Sequence, residues 1–273
     1  MPGTLYLLPN RISDAPIETS IPANVKAQAQ RIEYFLVEAA KTARQYLKAL
    51  EHPTPLMELN IVEMGHEPSP ELLSTWLAPL EDGHDMAIVS ESGCPGIADP
   101  GAICVAWAQE HDIPVVPLVG PSSILLTLMA SGLDGQRFSF VGYLPQKGEA
   151  RIEAIRQLEK RSARQETQLF IETPYRNNAM LESLLASLAP TTRVTVATDV
   201  TGPAESIRTR TVKAWKALSE EERTLPKLPT VFALLAKAQV LGKSTVDAQI
   251  EFGAKKRPPH AKKPHRTAPK KPF

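Results

Sequence analysis

The feature that most limits what this chain can fold into is an alternation. Short, almost wholly apolar runs ("TLYLLP", "LNIVEM", "DMAIVS", "PVVPLVG") take turns with segments of helical periodicity. Parallel strands covered on both faces read as continuous apolar runs, and the helices between them serve as crossovers. "RIEYFLVEA" (31–39) is read as a further strand, and "AKTARQYLKAL" (40–50) as a helix with Tyr46, Leu47 and Leu50 pointing inward. Ser69 as N-cap, with Pro70 at the first helical position, opens a helix carrying Leu72, Leu73, Trp76, Leu77 and Leu80. The stretch after the first strand is read as a polar loop. These elements predict a doubly wound α/β domain over residues 1–119 with a mostly parallel sheet.

The alternation continues with less regular connections. "PSSILLTLMASG" is a helix opened by Pro and Ser and closed by Gly132. "RFSFVGYL", "TQLFIET", "RVTVATDV" and "TVFALLAKA" are strands; "GEARIEAIRQLEKR" and "NNAMLESLLASLA" are helices. "SIRTRTVKAW" is read as an extended arm leading into a short helix. The expectation is a second α/β domain with a mixed sheet over 120–240, and a basic, disordered tail over 241–273.

Composition narrows the class. Aromatics make up 5% of the 273 residues, so the core must be mainly aliphatic. No apolar run approaches the roughly 18 residues of a membrane span, and the N-terminus lacks the basic segment of a secretory signal. Cys94 and Cys104 make no disulfide framework, and no Cys/His spacing suits a metal, so no metal is expected. A cytoplasmic location is the default expectation. The net charge of +1 hides an asymmetry: residues 254–273 hold eight Lys or Arg and no acid, which leaves 31 − 8 = 23 basic against 30 acidic residues elsewhere. That stretch suits either an electrostatic tether for RNA or another polyanion, or a solubility tail.

Three loops follow strand ends, where open α/β sheets bind ligands. The first is "SESGCPGIADPG" (90–101), in which Gly93 removes a side chain and Pro95 fixes the backbone. It is either a rigid pocket wall or a tight strand-to-helix connection. The second, "LVGPSSILL", has Ser122 and Ser123 opening a helix, as an N-cap or as a polar-group site. The third, "FIETPYRNN", gathers Glu172, Thr173, Tyr175 and Arg176, either as a site or as a surface turn.

Taken in order, these loops resemble the tetrapyrrole (corrin/porphyrin) methylase superfamily, and within it the ribosomal RNA small subunit methyltransferase I branch. "SESGCPGIADPG", "VVPLVGPSSILLTLMASGL", "RFSFVGYLPQK" and "FIETPYR" carry the resemblance, with a weaker match at "VEAAKTARQYLK". The resemblance implies two α/β domains with a cleft between them, a class III methyltransferase fold, and S-adenosylmethionine as the cofactor. The implied donor-site residues are Pro9, Ser92, Gly93, Pro95, Ile97, Ala98, Asp99, Ser122, Ser123, Glu172, Thr173, Pro229, Thr230 and Val231. A homodimer and an RNA or ribosomal-subunit substrate are implied as well. The sequence departs from the branch at the first loop, "LLPNRISDA", where Ile12 or Ser13 stands at the branch's glycine position.

A sulfonium donor is already activated, so the protein's main tasks are in-line positioning and exclusion of water. A ribose hydroxyl is a poor nucleophile and benefits from help in losing its proton. Asp14 and Glu38 are the candidate catalytic residues, with Glu172 as a third carboxylate to weigh; Asn10, Lys147 and Arg176 are candidates for substrate contact. Two other readings stay open: a methyltransferase acting on a tetrapyrrole-like or other heterocycle, and a non-catalytic donor-binding protein associated with RNA.

Overall fold

The computed structural model describes residues 1–65 and 68–236. The basic stretch expected as a tail over 241–273 lies outside the described residues.

The first sheet is wholly parallel, in the order β3-β2-β4-β1-β5. Its strands are β1 (Leu5–Leu8), β2 (Tyr34–Val37), β3 (Asn60–Glu63), β4 (Met86–Val89) and β5 (Val115–Pro117). Alternate side chains of the inner strands feed two separate cores. Leu8, Phe35, Val37, Ala87 and Val89 face one; Leu5, Leu36, Met86 and Ile88 face the other. The first core is closed by α1 (Ala23–Ala29) and α2 (Ala40–Ala49), through Val25, Ala29, Ala43, Tyr46 and Leu47. The second is closed by α3 (Pro70–Glu81) and α4 (Gly101–Glu110), through Leu73, Leu77, Cys104 and Trp107. Helices on both faces are why β4 reads as an unbroken apolar run.

Ser69 caps α3 as expected, its hydroxyl accepting from the Leu72 backbone N–H. Three readings change. The polar stretch after β1 contains the short helix α1. Leu72 of α3 points outward, 43% exposed. β5 is apolar but lies at the sheet edge, so Val116 is exposed, as is Val119 just beyond the strand; a run of β-branched residues carries no mark of whether its strand is central.

The second sheet is mixed, in the order β6-β7-β10-β8-β9. It comprises β6 (Phe138–Tyr143), β7 (Thr167–Glu172), β8 (Arg193–Thr198), β9 (Ser206–Thr211) and β10 (Thr230–Leu235). β6 and β7 are parallel, and the other pairs are antiparallel. The segment expected as an extended arm is therefore β9, paired with β8 along its whole length. One face packs against α6 (Gly148–Ser162), α7 (Asn177–Ser187) and α8 (Val212–Lys216) around Phe170, Phe232 and Trp215. The opposite face, with Leu169, Ala197, Val231 and Ala233, receives α5 (Ser123–Ser131). Ser122 caps α5, and Gly132 in the left-handed conformation ends it. A last helix, α9 (Glu220–Arg223), begins with a Ser219–Glu222 capping box.

Candidate functional site

The 90–101 loop follows β4 and is braced from within. Both carboxylate oxygens of Asp99 accept from the Gly96 N–H at 2.9 Å, and Oδ1 also accepts from the Gly101 N–H at 2.7 Å. The buried Ser90 hydroxyl donates to the Gly93 carbonyl at 3.0 Å. Gly93 has φ +76°, and the Gly93 carbonyl accepts from the Asn10 N–H at 2.9 Å. A Cβ there would meet the Ile12 Cγ2 at 3.3 Å and the Pro121 carbonyl oxygen at 3.4 Å. Glycine suits both the dihedral and the space. Ala98, with φ +63°, adopts the left-handed conformation despite its side chain, a form of backbone strain that clusters at ligand sites.

This loop forms one wall of a cavity of about 370 Å³. The cavity brings together the carboxyl ends of β2, β4 and β7, the start of α5, and the strands β8 and β10. Of the residues named from the sequence, Glu38, Ser92, Gly93, Ile97, Ala98, Asp99, Ser122, Ser123, Glu172, Thr173, Pro229, Thr230 and Val231 line it. Pro9 and Pro95 do not: both are buried beneath the wall, and a Cβ at Gly120 would overlap the Pro9 ring. The sequence reading included Ile97 and Val231 but missed other apolar lining residues, among them Ile124, Phe140 and Ile171, as well as Cys94 and Glu91. The Cys94 thiol is pushed up, first by burial and then by Asp99.

Glu172 needs correction at its side chain. Strand parity turns it to the Phe170 face of β7, away from Ile171 and the cavity. Its carboxylate is fully enclosed. Oε1 accepts from the Thr173 N–H at 2.7 Å and from Arg176 Nε at 2.9 Å, while the Arg151 guanidinium stands 3.9 Å from Oε2. Glu172 thus offers the cavity main chain only, and its carboxylate fixes the turn after β7. Arg176 is bonded to it, which raises the Arg176 pKa. Neither Arg176 nor the exposed Lys147 lines the cavity.

A second cavity of about 300 Å³ adjoins the first. Ile12, Glu91, Ser92 and Pro229 line both. Asn10 and Asp14 belong to the second, together with Thr42, Gln45 and Tyr46 of α2. Asn10 is committed to structure: Nδ2 donates to the Ser90 and Glu91 carbonyls, both at 3.1 Å, and Oδ1 accepts from the Arg11 N–H at 2.8 Å. Glu38 accepts from the Glu91 N–H at 2.8 Å, which ties the ends of β2 and β4 together. The Ser13 and Thr201 hydroxyls meet at 3.0 Å and join the first loop to the turn after β8. Among the described residues no group of three or more His, Cys, Asp or Glu is arranged to hold a metal.

Two α/β sheets closing on a cavity at strand carboxyl ends, walled by Gly/Pro loops, define a class of nucleotide- and nucleoside-binding folds. The sequence profile of the tetrapyrrole (corrin/porphyrin) methylases matches residues 25–215, and this chain belongs to that family. Curated relatives carry the name ribosomal RNA small subunit methyltransferase I. The one from Micromonospora olivasterospora is 34% identical over 191 residues, 68% of this chain and 56% of that protein. The one from Escherichia coli O157:H7 is 36% identical over 152 residues, 55% of this chain and 52% of that protein. The one from Halalkalibacterium halodurans is 32% identical over 190 residues, 68% and 61% respectively. The matched region thus spans between half and about six-tenths of these relatives' length.

Proposed function

We propose that this chain is an S-adenosylmethionine-dependent methyltransferase acting on RNA, at a ribose 2′-oxygen of small-subunit ribosomal RNA. The reading rests on the first cavity, whose wall is the loop set that carries the family resemblance, and on the printed names of the relatives. The halves 1–119 and 120–240 are taken as the two domains that close on the donor, in a cytoplasmic homodimer.

The lining fits the donor chemically. Glu38, Glu91 and Asp99 are among the lining residues, and among the described residues no Lys or Arg lines it, which favours a cation over an anion of the same shape. Ile124, Phe140, Ile171 and Val231 supply an apolar surface for a purine. The hydroxyls of Ser92, Ser123 and Thr173 and the main chain of Gly93, Ala98 and Glu172 supply polar contacts. When bound, the donor supplies an electrophilic methyl group. The protein's part is to hold it in line with the acceptor and to exclude water, with Asp14 or Glu38 as the candidate to accept the acceptor's proton.

The test is a filter assay with methyl-labelled donor and total RNA, alongside calorimetry with S-adenosylhomocysteine. Binding together with label on small-subunit RNA is the expected result. Donor binding with no label on any RNA overturns the RNA methyltransferase reading.

A further inference from the structure

Among the described residues, the two most exposed Phe, Tyr or Trp side chains stand at one place. Tyr143 is 59% exposed and Tyr175 is 83% exposed. Tyr143 ends β6, and Tyr175 lies in the Pro174–Arg176 turn just after β7. The two strands are parallel neighbours, so both tyrosines lie at the carboxyl edge of the second sheet. Tyr143, Thr173 and Pro174 line the first cavity, whereas Tyr175 does not. One ring therefore belongs to the rim of that cavity and the other lies just outside it.

A backbone irregularity brings Tyr143 there. Phe140 pairs with Leu169 and Tyr143 with Ile171, so β6 carries one more residue than β7 over this step. Gly142, inside the bulge, has φ +70°, a dihedral that glycine takes without strain. Strict alternation would turn Tyr143 to the face of Val141, which packs against the Phe170 core. The extra residue turns it instead to the face of Phe140, Ile171 and the cavity. Bulges re-aim side chains in this way beside functional sites.

Cations flank the rings. Lys227 Nζ stands 5.7 Å from the centre of the Tyr175 ring, a cation–π contact. It makes no ion pair among the described residues. Arg151 and Arg176 both face the enclosed Glu172 carboxylate, two guanidiniums against one acid, and Arg176 is the one that reaches solvent. The surplus positive charge thus lies next to Tyr175. Exposed ring faces beside cations match an unpaired RNA strand, whose bases stack on aromatic side chains while its phosphates take up the charge. A duplex of equal charge keeps its base faces stacked within itself and offers none to the rings.

We propose that Tyr143 and Tyr175, with Arg176 and Lys227, form a stacking platform that holds unpaired nucleotides flanking the acceptor. This rests on the RNA methyltransferase reading of the first cavity. Tyr175 separates an unpaired strand from a duplex without touching the donor. The full chain is compared with its variants Tyr175→Ala, Tyr175→Phe and Lys227→Gln. Affinity is measured for a single-stranded RNA of about 12 nucleotides, within the range of single-strand sites, for its duplex, and for an abasic strand of the same length and charge. S-adenosylhomocysteine binding is measured in parallel by calorimetry, and oligomeric state by sedimentation.

Tyr175→Ala should weaken binding of the single strand about tenfold, within what one stacked base contributes, and change binding of the duplex and the abasic strand by less than about twofold. Tyr175→Phe keeps the ring and should restore wild-type affinity. Lys227→Gln should lower the slope of log affinity against log salt for the single strand by about 0.7, one phosphate contact. S-adenosylhomocysteine should bind all three variants as it binds wild type, since neither Tyr175 nor Lys227 lines the first cavity. No loss in Tyr175→Ala, an equal loss on the normal and abasic strands, no rescue by Tyr175→Phe, or an unchanged salt slope in Lys227→Gln each overturns the platform alone. So does a change of oligomeric state in Tyr175→Ala with RNA affinity intact, which gives the rim to a second copy of the chain. Wild-type protein that binds S-adenosylhomocysteine and none of the RNAs overturns the RNA reading, and the platform with it.

Discussion

Gly93 shows how a single residue sets what the cavity can hold. Its φ of +76° is the left-handed region, where an added Cβ costs roughly 1–2 kcal/mol. Gly93→Ala should therefore lower the melting temperature by about 2–8 °C, on a scale of roughly 2–4 °C per kcal/mol for chains of this size. Gly93→Trp adds an indole at the cavity wall and should abolish S-adenosylhomocysteine binding while leaving the far-UV circular dichroism close to wild type. Unchanged calorimetric affinity in that variant would remove Gly93 from the wall. Its neighbour Cys94 gives a second readout. Its thiol is half-buried and its Sγ donates to the Pro121 carbonyl oxygen at 3.4 Å, and burial and then Asp99 raise its pKa. The thiolate is the reactive form, so iodoacetamide at pH 7.5 should label Cys94 several-fold more slowly than free cysteine. The rate should climb as pH rises above the ordinary thiol range, and S-adenosylhomocysteine should protect. Fast labelling at neutral pH, unaffected by ligand, would contradict both the burial and the placement.

Among the elements, the turn into α7 does work that its sequence conceals. Asn177 is fully buried, and its Nδ2 donates to the Leu228 carbonyl at 2.8 Å and to the Thr230 hydroxyl at 2.9 Å. Asn178 bonds both the carbonyl and the N–H of Leu225, at 3.0 and 2.7 Å. One side chain thus holds the part of the 225–230 loop that forms the cavity wall, and the other holds the far end. Asn177→Ala and Asn178→Ala should each cost about 1–3 kcal/mol by leaving polar groups unpaired. Only Asn177→Ala should also weaken S-adenosylhomocysteine binding by about tenfold, as main-chain contacts at Pro229 and Thr230 loosen; equal affinity in the two variants would show that the wall holds without Asn177. Sequence pattern revealed much at this scale and missed specific things. The Gly/Pro loop was legible because its residue types are dictated by backbone geometry, and Ser69, Ser122 and Gly132 were legible because caps follow local rules. The direction of the Glu172 side chain is also written in the alternation of β7, since Phe170 and Glu172 share a face. Thr42 and Gln45 left no signal, because a polar residue lining a chamber and one facing water look alike along a helix. β9 reads as an arm because "SIRTRT" has too few apolar residues to announce pairing at a sheet edge.

For the whole molecule, charge and position separate two kinds of binding. The first cavity is lined by short-range contacts from two sheets, and S-adenosylhomocysteine binding there should respond little to salt. Engagement of RNA should depend on cations that lie elsewhere: the exposed Lys41, Arg44 and Lys48 of α2, and the eight Lys or Arg of residues 254–273, set against 23 basic and 30 acidic residues in the rest of the chain. A chain whose remainder carries a deficit of positive charge gains long-range attraction to a polyanion mainly from that basic stretch. If four of its eight charges neutralise phosphates, log affinity for single-stranded RNA should fall with log salt with an added slope of about 3. The full chain would then lose about 50-fold more affinity between roughly 50 and 200 mM salt than a chain ending at residue 253. The two proteins should bind S-adenosylhomocysteine equally well, since among the described residues none that lines the first cavity lies beyond Val231. Identical salt slopes for the two would assign RNA attraction to α2 and the body of the protein, and would make the basic stretch a matter of solubility.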